Sequence, residues 1–91
     1  MELEKKIRNS IASLFDENIN EAMSDASTKD MFNDPFFGGL AIHACLSSTY
    51  KSLSESDELA VLCGLANLDY DEILEEELQN AQNRYLEPLT R

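Results

Sequence analysis

The chain has no tryptophan, one histidine, two cysteines, two prolines and three glycines among its 91 residues. So little proline and glycine excludes collagen-like and low-complexity architectures. Cys45 and Cys63 match neither a zinc-site nor a redox-pair spacing, and they read as free thiols packing as small hydrophobes. No apolar run approaches the ~18–20 residues of a membrane span, and the opening Met1-Glu-Leu-Glu-Lys-Lys6 lacks the apolar stretch of a signal peptide. The expected compartment is therefore cytoplasmic, without membrane contact. Basic residues are the scarcest class relative to their opposites: seven Lys and Arg stand against 18 Asp and Glu, for a net charge of −11. That balance repels phosphates, so no direct nucleic-acid binding is expected.

Hydrophobic residues make up 43% of the chain and charged residues 27%, a globular composition, and the length suits a single domain. No strand-like alternation occurs, whereas helical spacing recurs throughout. Leu3, Ile7, Ile11, Leu14, Phe15, Ile19, Ala22 and Met23 form one apolar stripe on a helix over 2–23. Its bases lie near the start and Asp16, Glu17 and Glu21 near the end, the reverse of what the helix dipole favours. A partner, or another helix carrying complementary charge, would account for that order. Residues 24–34, rich in Ser, Thr, Asp and Asn, read as a loop. Asn33-Asp34-Pro35 opens a second helix over 35–53, in which Gly38-Gly39 permits either close helix packing or a short break. Ser54, three residues before Asp57, resembles a capping box for a third helix over 55–65, with Gly64 as its end or kink. Ile73, Leu74, Leu78, Ala81, Tyr85 and Leu86 mark a last helix over 69–87. The expected fold is all-α, about four helices in a small bundle or orthogonal arrangement.

Residues 52–83 hold nine acids and no base: Glu55, Asp57, Glu58, Asp69, Asp71, Glu72, Glu75, Glu76 and Glu77. Acids three and four apart on the last helix share a face at ~5–6 Å spacing, which opposes helix formation except near the N-terminus. Such a row resembles a phosphate strand in sign and spacing. It would seat in the basic groove of a nucleic-acid-binding machine, with steered association and salt-sensitive affinity. A solubilising acidic surface is the plainer alternative. Phe36 and Phe37 cannot both face one core from consecutive helical positions, so at least one is a candidate interface anchor.

Leu59-Ala60-Val-Leu-Cys63-Gly64-Leu65, followed by Tyr70 and Ile73, resembles the helix-turn-helix family, with Gly64 in the turn. The resemblance implies a recognition helix, yet this chain offers Asp69-Tyr-Asp-Glu72 and Glu75-Glu-Glu77 there, a face suited to protein and not to DNA. Catalysis has little support: His43 and Cys45 point ~200° apart on a helix and cannot pair as base and nucleophile. No metal-loop or phosphate-loop spacing is present, so no cofactor or metal is expected. In general character the chain is similar to phage-encoded inhibitors of bacterial defence, the anti-CRISPR and anti-restriction proteins that imitate nucleic acid. The expected partner is a protein with a basic surface. A helical immunity, antitoxin or secretion-chaperone-type protein with an apolar groove is the second expectation, and a homodimer burying the first helix's stripe is a further option.

Overall fold

A computed structural model describes residues 2–87. The described residues are all-α and contain five helices: α1 (Glu2–Ser24), α2 (Lys29–Phe32), α3 (Gly38–Ser54), α4 (Asp57–Leu65) and α5 (Tyr70–Tyr85). The fifth, beyond the four expected, is the single turn α2 inside the 24–34 stretch. It packs against α3 and α1. Polar residues hold this region: the Thr28 hydroxyl donates to the Ala22 carbonyl, and Asp25 Oδ1 accepts from the Ser27 amide and hydroxyl.

The core forms where α1, α3 and α5 pack on one another. Helix α1 contributes Ile7, Ile11, Phe15 and Ile19, α3 contributes Ile42, Leu46 and Leu53, and α5 contributes Tyr70, Ile73, Leu74 and Ala81. The α1 stripe is thus a strict four-residue repeat, narrower than the sequence pattern, and Leu3, Leu14 and Met23 stay exposed at its margins. Two buried polar groups are satisfied within this core. Thr49 Oγ1 accepts from Asn18 Nδ2 at 2.9 Å and donates to the Cys45 carbonyl, and the Tyr70 hydroxyl donates to the Leu53 carbonyl near the end of α3. The second bond ties the start of α5 to the end of α3, where carbonyls lack helical partners.

Polar side chains match across the packed faces of α1 and α5. Arg8 Nη1 donates to Glu77 at 3.3 Å and Nη2 to Glu76 at 3.5 Å. Eight residues further along α1, Asp16 Oδ1 accepts from Arg84 at 3.0 Å and from the Tyr85 hydroxyl at 2.6 Å. The pairs advance together, so the two helices run in the same direction in a fixed register. The charge order of α1 that its own dipole disfavours is the order that α5 requires at Arg8 and Asp16.

Three local boundaries differ from the sequence reading, each for a visible reason. Asp34 Oδ1 accepts from the amides of Phe36 and Phe37, so a turn over 35–37 precedes the helix, which starts at Gly38. Ser54 closes α3, its hydroxyl on the Lys51 carbonyl, and Ser56 caps α4 by accepting from the Leu59 amide. Gly64 lies inside α4, and the connection to α5 runs over residues 66–69 with Asn67 at φ 58°, a left-handed position asparagine tolerates.

Gly38 belongs to the close-packing alternative. A Cβ on Gly38 would stand 2.7 Å from the Phe32 carbonyl oxygen, whereas one on Gly64 would meet nothing within 4 Å. Gly38→Ala is therefore expected to cost about 1–3 kcal/mol by overpacking against backbone. Gly64→Ala is expected to gain about 0.5 kcal/mol from helix propensity. Urea unfolding midpoints of the two variants should move in opposite directions.

Candidate functional site

Helix α5 starts because Asp69 caps it, with Oδ1 accepting from the Glu72 amide at 3.2 Å, and because Asp71 and Glu72 meet the positive end of the dipole. Its buried side holds Tyr70, Ile73, Leu74, Glu77 and Ala81. Asp71, Glu72 and Glu75 all lie on the opposite side, exposed, within about 100° of one another around the axis. Glu76 stands at the margin and shares Arg8.

Glu77 turns inward. Its side chain is 9% exposed and accepts from Arg8 and from Asn80 Nδ2. The sequence row of six acids on this helix is therefore a cap (Asp69), an outward group of three, a shared residue and a core-facing residue. Burial opposes the charge of Arg8, but Glu76, Glu77 and Glu4 outweigh it, so this guanidinium titrates above its ordinary value. Arg8 was absent from the sequence reading of the site, and only its sequence-distant neighbours give it this role.

Glu55, Asp57 and Glu58 are exposed at the start of α4 and just before it. Asp57 and Glu58 border a shallow groove of about 420 Å³ whose other walls are Val61, Leu62 and Leu65. These three leucine and valine side chains are exposed because α4 buries only Cys63, with Leu59 packed beside the core. A signal was present in the sequence: a nine-residue helix with Leu59, Val61, Leu62, Cys63 and Leu65 has apolar residues on more of its circumference than one neighbour can cover.

Phe36 is 86% and Phe37 55% exposed, with ring centroids 6.2 Å apart. They precede α3, whereas the Leu53–Tyr70 contact lies at its other end. The 17 residues of α3 span ~25 Å, so the phenylalanines are far from the head of α5. His43 is exposed on α3, and both thiols are free. Among the described residues, no group of three or more His, Cys, Asp or Glu side chains is placed to hold a metal ion, and no helix is long and apolar enough to cross a membrane.

Burial raises Cys63, and it raises Tyr70 with help from Cys63 and Asp71, above ordinary values of 9.0 and 10.0. The folded chain thus keeps protons that the unfolded chain releases. The stability these groups contribute is whole below about pH 9 and is lost as pH rises through their folded pKa values. Thermal melts across pH 8–11 should show that loss, and a Cys63→Ala, Tyr70→Phe double variant should show less of it.

The class so defined is an all-helical protein with an acidic outer face on α5 and apolar side chains left in solvent on α4 and before α3. Comparison with protein-family models, curated proteins and solved structures returned no match.

Proposed function

We propose that this chain is a small, acidic, non-enzymatic interaction module. It occupies a basic, nucleic-acid-binding surface of another protein and inhibits it by occlusion, as DNA-mimicking anti-CRISPR and anti-restriction proteins do. The observation that carries this reading is the outward placement of Asp71, Glu72 and Glu75 on a helix whose ion pairs within 70–77, among the described residues, are those of Glu76 and Glu77 with Arg8 on α1. Those three charges fall within ~6 Å of helix axis, an average of about one per 3 Å, close to the ~3.4 Å charge spacing along one strand of duplex DNA. No base between residues 52 and 83 dilutes them. The reading needs no cofactor and places the protein in the cytoplasm, beside its target.

The test is competition. Proteins captured on the immobilised chain at low salt should be nucleic-acid binders, should be released by duplex DNA or RNA, and should leave as salt rises past the screening range. Captured proteins that nucleic acid does not displace would defeat occlusion. A second reading, a client-binding protein of the immunity, antitoxin or secretion-chaperone type, is favoured by the exposed Phe36–Phe37 pair. Its complex would tolerate salt and weaken on truncation of either ring.

A further inference from the structure

From the groove on α4 we infer a second docking site, for a cationic amphipathic helix of a partner protein. The floor is Val61, 61% exposed, with Leu62 and Leu65, 81% exposed, at positions i, i+1 and i+4. That spacing accepts apolar anchors one turn apart on a facing helix. A surface helix ordinarily turns such residues inward, and here the inward side of α4 is already occupied by Cys63 and Leu59.

Charge specifies the occupant. Asp57 and Glu58 line the same groove at the N-terminal end of α4, and Leu65 lies at the other end. The matching helix therefore carries Lys or Arg at one end of its apolar stripe. Bases in a helix's last turn also suit its own dipole, which sets the partner antiparallel to α4, its C-terminus over Asp57 and Glu58. A second copy docking α4 against α4 would bring no base to meet those acids, since its exposed lysines, Lys5, Lys6, Lys29 and Lys51, lie on other helices. Lys5 and Lys6 stand in the first turn of α1 and not the last. An anionic lipid surface is repelled by the acids.

The inference goes beyond the α5 reading and stands without it. The probe is a labelled 14-residue leucine–lysine amphipathic helix with its lysines in the last turn, titrated by fluorescence anisotropy. A second peptide has the lysines moved to the first turn. The wild-type chain should bind the first peptide several-fold more tightly than the second. A Val61→Ser, Leu65→Ser variant should weaken that binding 10-fold or more, and Asp57→Asn, Glu58→Asn should remove the preference for lysine position. Val61 and Leu65 are exposed, so the serine variant's circular dichroism melt should stay close to wild type, whereas loss of the two first-turn acids of α4 should lower the asparagine variant's melting temperature slightly. Lysine substitution of Asp71, Glu72 and Glu75 should leave binding within about three-fold, so loss of the α5 function and loss of this site are separately visible. Absence of saturable binding, or equal binding by the serine variant, overturns the inference. So does a dimer in sedimentation equilibrium that the serine variant dissolves, which would assign the groove to a second copy.

Discussion

Phe15→Ala is expected to lower the unfolding free energy by about 3–5 kcal/mol. Phe15 is the largest fully buried side chain of the core and lies midway along α1. Deleting its ring removes the transfer free energy of the ring and leaves a cavity that three mutually packed helices cannot collapse into. A chain this size has a total stability of roughly 5–14 kcal/mol, so about a fifth of it or more would go. Urea unfolding should show a lower midpoint at an unchanged slope. Phe36→Ala is the matched control: the same residue type, solvent-exposed, should change stability by no more than about 0.5 kcal/mol. Equal effects at the two positions would contradict the placement of α1.

The largest effect on binding is expected from reversing the outward face of α5. Asp71→Lys, Glu72→Lys and Glu75→Lys together should weaken a complex with a basic partner by about 100-fold or more, because three attractive contacts become repulsive. The fold should survive. These side chains make no contact that the core depends on, and the net charge moves closer to zero, which relieves self-repulsion. Against that, lysines in the first turn of α5 oppose the dipole by about 0.3–1 kcal/mol each, so a slight fall in melting temperature is expected. Glu77→Gln should do the reverse: little effect on binding, and a stability loss from weakening the contact with Arg8. Binding measured by calorimetry beside thermal melts separates the two behaviours. A triple reversal that left affinity intact would end the occlusion proposal.

These expectations differ for residues that look alike in the sequence, and the differences show where sequence reasoning stopped. Glu75, Glu76 and Glu77 are consecutive and chemically identical. A helix turns them 100° apart, which separates an outward charge, a shared one and a buried one. Their phase relative to the core could be read from Ile73 and Leu74. The hydrogen bond that Glu77 accepts from Arg8 could not, because it depends on where α1 lies, 69 residues away. The charge order along α1 was legible as an anomaly requiring a complementary helix, and α5 meets that requirement at Arg8 and Asp16. On α4 the pattern showed apolar residues but not that most of them remain in solvent. Exposure is decided by how many neighbours a helix has, and α4 packs chiefly on α5.

The all-helical class, the main helices to within a few residues and the concentration of acid in residues 52–83 were determined locally. Spacing, turn chemistry and dipole act within a few residues of chain. Only tertiary structure decided which apolar stripes are covered, that Gly38 abuts the Phe32 carbonyl, and which acids are outward and which are consumed by Arg8. Those outcomes depend on helix register and neighbour number, and both are set by long-range packing that no local pattern encodes.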